Sequence, residues 1–210
     1  MSAIAGARPG RQPRSRATRA RIVQAATRLF VRDGYLATTM AAIALEAGVA
    51  VQSLYLRFGS KLGILAAALD VAVVGDDEPL PVLERPWVRD LAEAPDGPRA
   101  VRLFVAQLGQ ILRRTYPLYA VVQAAAAGEA GELLRENKRQ RYEGVRAIAT
   151  LLGNKPGFAA GLSVDAGADL LYALASEEHY GLLVVERGWS VEAWEAWCAD
   201  ALGTTLFPPR

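Results

Sequence analysis

The sequence predicts an all-α chain, and three observations carry that expectation. Ala, Leu, Arg and Glu dominate a composition that is 52% apolar, and runs rich in β-branched and aromatic residues are few. Apolar residues recur at helical spacing in segment after segment, with glycine or proline at most of the breaks. No segment reads as a strand, which leaves no sheet on which a phosphate loop or a doubly wound site could sit. The 210 residues suffice for one large domain or two small ones, and either can bury a core.

Taken in order, residues 1–15 (MSAIAGARPGRQPRS) mix Gly, Pro, Ser and Arg without periodicity and read as a disordered basic arm. A first helix is expected from about Arg16 to Asp33. Its apolar face is Ile22, Ala25, Ala26, Leu29 and Phe30, and Gly34 stops it. Thr38 or Thr39 caps a second helix, with Met40, Ile43, Ala44 and Ala47 on its apolar face. Gly48 ends that helix, the stretch AGVAVQSLYLRFGSK (47–61) provides a third of about seven residues, and a fourth runs from Lys61 to about Val74. The stretch from Gly75 to Pro98 is acidic, carries five prolines and reads as a long connection with one helical turn around Trp87. Helices resume at about 99–115, 118–127, 129–152, 164–187 and 191–204, about nine in all. Pro117, Gly128, GNKPG and ERGWS punctuate them. The expected domains are the arm (1–15), a three-helix head (16–62) and a larger helical body (63–210).

The net charge of +2 divides unevenly. Residues 1–65 hold ten Arg and Lys against two acids, a local +8, and the remainder holds fourteen against twenty, a local −6. A basic head on an acidic body is the electrostatic footprint of a polyanion-binding module. No apolar run reaches the roughly 18 residues a membrane span needs, because Asp70 and Gln123 interrupt the longest candidates. The arginine-bearing N-terminus lacks the apolar core of a signal peptide, and the single cysteine, Cys198, excludes an internal disulfide. A cytoplasmic protein without a membrane partner is expected.

Within the head, two short helices joined by Ala47-Gly48-Val49 form a helix-turn-helix pattern. Ile43, Ala47, Val49, Leu54 and Phe58 are expected to pack inward on Ile22, Leu29 and Phe30. Val51, Gln52 and Tyr55 fall on the opposite stripe and face out, where a short helix offers a reading surface to a major groove.

The segment GYLATTMAAIALEAGVAVQSLYLRFGSK resembles the DNA-binding segment of the TetR/AcrR family of bacterial transcriptional regulators. The resemblance covers roughly residues 20–65 and rests on Gly34-Tyr35, Thr38-Thr39, Ile43-Ala44, Ala47-Gly48-Val49, Leu54-Tyr55, Phe58 and Ser60-Lys61, all in register. It implies a homodimer with an N-terminal three-helix DNA-binding domain and a helical C-terminal domain that binds an effector and dimerises. It further implies that Tyr55 and Lys61 contact operator phosphates and that Thr38 and Thr39 cap a helix whose N-terminus meets the backbone. Val51, Gln52 and Ser53 match base-facing positions. Gln52 can pair with adenine through its amide fork, and Val51 can press on a thymine methyl.

Two positions depart from the pattern. Ala50 stands where the family usually has a Ser or Thr cap, a loss of ~1 kcal/mol for that helix. Gln52 stands where a small residue is common, which implies a different operator. Arg57 either reaches a phosphate or a guanine or stays in solvent. Arg8, Arg11, Arg14 and Arg16 resemble arms that enter an adjacent minor groove; an inert tail is the alternative.

In the body, Phe104, Leu108, Leu112, Tyr116, Tyr119, Gln123, Tyr142 and Arg146 form an apolar set with polar interruptions, the composition of a small-molecule pocket between helices. Gln123 and Arg146 are the candidate orienting groups. The last two helices have wide apolar faces, and in the family the corresponding pair forms a four-helix bundle with its two-fold mate. His179 has neither a second His nor a Cys cluster beside it in sequence, so no metal is expected. No cofactor is expected, and no Ser–His–Asp set or carboxylate pair supports catalysis. The sequence therefore points to a ligand-responsive repressor. Its alternatives are a DNA-binding regulator without an effector and a helical small-molecule carrier.

Overall fold

The structure, a computed structural model, describes residues 11–75 and 82–209. Those residues are mostly helical and contain no strand, and the chain divides between Val71 and Ala72 into two compact units.

The first unit contains α1 (Arg11–Ala37), α2 (Met40–Ala47), α3 (Val51–Phe58) and most of α4 (Lys61–Val74). The first helix starts at Arg11 and not at Arg16, so residues 11–15 are helical and not a disordered arm. Pro13 is tolerated there because the first turn has no intrahelical use for its missing N–H. Residues 1–10, and with them Arg8, lie outside the described residues. Gly34, at φ 79°, ψ 169°, breaks α1 where the sequence places its stop.

Thr39 caps α2 by accepting from the Ala42 amide at 3.1 Å. Gly48, in the left-handed region, closes α2 and lets the chain bend by 106° into α3. The α3 N-terminus begins at Ala50 with no side-chain cap, as the sequence implies. Ile22, Ala26, Leu29, Phe30, Ile43, Ala47 and Leu54 are buried together, while Val49 and Phe58 are half-buried.

The second unit contains α5 (Pro86–Glu93), α6 (Gly97–Ala124), α7 (Gly131–Gly153), α8 (Val164–Leu174), α9 (Glu177–Tyr180, continued as a π-turn over Gly181–Glu186) and α10 (Val191–Leu206). Its core joins Leu91, Val101, Phe104, Leu112, Ile148, Leu152, Leu171, Trp194, Cys198 and Leu202. The acidic connection holds two turns of helix, α5, begun by Pro86 at its first position. Pro117 does not separate two helices: α6 runs through it, because Leu118, Tyr119 and Val122 beyond it are as deeply buried as Phe104 and Leu112 before it. That burial outweighs the ~3 kcal/mol a mid-helix proline costs.

The expected helix over 164–187 is instead broken at Ala175. Ser176 restarts it by accepting from the His179 amide at 3.1 Å. Gly181 then passes so close to Tyr116 that a Cβ there would lie 2.5 Å from the phenol oxygen.

Candidate nucleic-acid interface and an apolar cavity

The outer face of α3 is built from behind. Leu54 is fully buried, so its neighbours on the opposite stripe are forced outward: Val51 and Gln52 are exposed and Tyr55 is 53% exposed. Ser53 is half-buried at the edge. Leu56 is 88% exposed and lies one turn beyond Gln52, at i+4, so it belongs to the same face. An isolated leucine so placed gains nothing from water. Sequence reasoning passed over it, although following the i, i+4 step from Gln52 would have found it.

The other sequence-derived residues fall into distinct roles. Thr39 is exposed and caps α2, whereas Thr38 is buried, and its hydroxyl donates to the Gly34 carbonyl at 2.8 Å. Arg57 is exposed and donates to Ser15 Oγ at 2.9 Å. Lys61 is not a solvated lysine. Its ammonium donates to the Tyr35 carbonyl at 2.7 Å and the Thr38 carbonyl at 2.9 Å, and lies 4.2 Å from the Tyr35 ring centroid. It therefore ties the start of α4 to the connection between α1 and α2. Lysine has three N–H donors, so one more acceptor can be met.

In the second unit, α6 and α7 supply most of the wall of a partly open cavity of about 430 Å³, within the range of small-molecule sites. Phe104, Leu108 and Leu112 line it, as the sequence suggests, together with Val73, Trp87 and Ile111. The other five expected residues do not. Tyr116 packs on Tyr180, and Tyr119 is buried and donates to Glu178 at 2.7 Å. Gln123 is exposed near the end of α6. Tyr142 donates to Asp169 at 3.1 Å against the Tyr172 ring, and Arg146 is exposed and paired with Asp165 at 2.7 Å. For the two on α7 the cause is rotation about the helix: Val145 and Ile148 face inward, which sends Tyr142 and Arg146 toward α8 and solvent.

The polar wall is supplied instead by Asn137, Gln140, Arg141 and Glu177. Arg141 pairs with Glu177 and with Glu178 (2.9 Å), and Glu178 also takes Lys138 at 2.9 Å. Burial alone would raise the Glu178 carboxyl, but the hydrogen bonds from Tyr119, Arg141 and Lys138 outweigh it and hold the group down to about 2. Among the described residues no group of His, Cys, Asp and Glu is placed to hold a metal ion.

Residues 22–68 match the family model described as "Bacterial regulatory proteins, tetR family". Over those residues, fewer than half of the chain, it is similar to that family. No curated protein sequence matches the chain.

Solved structures of the same fold span nearly the whole chain. A putative transcriptional regulator from Saccharomonospora viridis in complex with choline is 22% identical, over 90% of this chain and 97% of that one, at a TM-score of 0.65. NalD, the secondary repressor of the MexAB-OprM multidrug efflux pump in Pseudomonas aeruginosa, is 16% identical, over 93% and 100%, at 0.68. FadR from Bacillus subtilis, in complex with stearoyl-CoA, is 18% identical, over 91% and 99%, at 0.65. The matched segment runs from Ile22 in the α1 core to Ala68 in α4 and so contains the entire α3 face. Among the described residues no single helix is long and apolar enough to cross a membrane.

Proposed function

We propose that this chain is a tetR-family, ligand-responsive repressor that leaves its operator when an apolar or amphipathic effector binds. Val51, Gln52, Ser53, Tyr55 and Leu56 form the reading face. Gln52 discriminates bases, and Leu56 and Val51 press on thymine methyls. Tyr55, Arg57 and the third N–H of Lys61 meet phosphates, and the capped α2 N-terminus at Thr39 adds a backbone contact. Thr38 is left out of the set because its hydroxyl is used internally.

The second unit carries the effector site and a homodimer interface through α8–α10. Leu182 (51% exposed), Val185 (56%) and Trp189 (37%) support that interface as an apolar surface which a second copy would cover. The single observation that carries the reading is the cavity. A regulator without an effector has no need of about 430 Å³ of apolar space inside its body. Val73, on the cavity wall, is the penultimate residue of α4, the helix that Lys61 begins, so a ligand against Val73 acts on that helix and shifts the population of DNA-fitting dimers.

The test begins by selecting genomic fragments that the purified protein retains, then titrating the complex with apolar small molecules. Loss of the complex together with loss of promoter blockage in transcription in vitro supports the reading. A complex that no ligand occupying the cavity can weaken would refute it.

A further inference from the structure

We infer that the cavity takes an uncharged ligand: an apolar body ending in a single oxygen-bearing group that both accepts and donates a hydrogen bond, such as an alcohol or a carboxamide. The inference rests on the reading of the cavity as the effector site and deepens it.

Asn137 and Arg141 both line the cavity, and each has a buried polar atom without a partner within the protein, the Asn137 side-chain oxygen and the Arg141 Nε–H. The two residues are i and i+4 on α7, so their side chains are neighbours on one face. One is a donor without an acceptor and the other an acceptor without a donor. Buried groups in that condition are costly unless a bound molecule completes them. A hydroxyl meets both at once, accepting from Arg141 and donating to Asn137.

The charges around this point are already matched, which decides against an ionic ligand. Arg141 and Lys138 face Glu177 and Glu178, two charges of each sign, and Glu143 on the same wall is held by Arg139. The Arg141 guanidinium is stacked 4.3 Å from the Tyr172 ring centroid and is 13% exposed, so it does not swing away to meet a new partner. A carboxylate or an ammonium would enter among apolar side chains with no unmatched counter-charge, and desolvation would not be repaid. The rest of the wall, from Trp87 through Phe104, Leu108 and Ile111, asks only for hydrocarbon.

The experiment uses the full chain and four probes of one length: octan-1-ol, octanamide, octanoate and octylammonium. Their binding is measured at neutral pH by calorimetry and by displacement of a fluorescent apolar dye. The alcohol and the amide should bind at least about tenfold more tightly than either ion, and Asn137→Leu should reduce alcohol binding about fivefold while leaving dye binding intact. Octanoate or octylammonium binding as well as the alcohol would overturn the inference, as would Asn137→Leu leaving alcohol binding unchanged. Leu108→Trp, or Ile111→Trp if the first does not fold, fills the cavity. If the dye binds wild type and either tryptophan blocks it, yet no neutral probe binds, the neutral-ligand inference fails and the cavity reading stands. If the filled variants bind every probe as wild type does, the cavity reading itself fails.

Discussion

Replacing Lys61 by methionine keeps the alkyl stem and removes the charge that joins three segments of the head. Wild-type Lys61 makes two charge-assisted hydrogen bonds, to the Tyr35 and Thr38 carbonyls, and a close contact with the Tyr35 ring. Each such bond contributes ~1.5–3 kcal/mol and the ring contact ~0.5–1 kcal/mol. The ammonium is only half-buried, so solvent recovers part of the loss, and the net expectation is about 2–4 kcal/mol of local stability. The cost should concentrate on the Gly34–Ala47 segment. Hydrogen exchange of the intact protein, followed by mass spectrometry, reads that segment directly, and its slowest amides should exchange roughly 30- to 700-fold faster in Lys61→Met. Peptides from α6 and α7 should be unchanged. Exchange over 34–47 at the wild-type rate would refute the reasoning and would return Lys61 to the role of a plain surface cation.

Three further outcomes follow from the second unit. The Glu178 carboxyl is held at about 2 in the folded chain against an ordinary 4.5, so its contribution is complete above pH 4.5 and is lost as pH falls toward 2. Thermal melts should show Glu178→Gln flattening the acid limb while lowering stability near neutrality; an unchanged acid limb would contradict this. Burial pushes the Cys198 thiol up to about 12, so a thiol reagent at pH 8 should label it only after denaturation. Light scattering at micromolar concentration should give twice the 22.5 kDa chain mass, and Val185→Glu should give folded monomer; a monomeric wild type would remove the dimer proposal.

The head was legible because its information is local. Gly34 and Gly48 sit at backbone conformations that favour glycine, Thr39 caps the helix it precedes, and the stripe through Leu54 tells inside from outside. What was missed there depends on a distant partner: nothing next to Lys61 in sequence says that its ammonium meets Tyr35 and Thr38. The cavity was half legible for the same reason. Phe104, Leu108 and Leu112 lie on one stripe of α6. The polar run RENKRQRYE of α7, however, gives no local sign that Asn137 and Arg141 turn inward while Tyr142 and Arg146 turn away. The break at Ala175 was hidden too, because apolar spacing continues through it and only the side chain of Ser176 marks the restart.

The central claim is that the outer face of α3 reads DNA sequence and that Gln52 carries the discrimination. It is tested most directly by titrating wild type and Gln52→Ala against the selected operator and a random duplex at several salt concentrations. Loss of a bidentate base contact costs ~1–3 kcal/mol, so the operator-to-random affinity ratio should fall at least about fivefold per half-site, with the salt dependence unchanged. A ratio that survives the substitution would contradict the account.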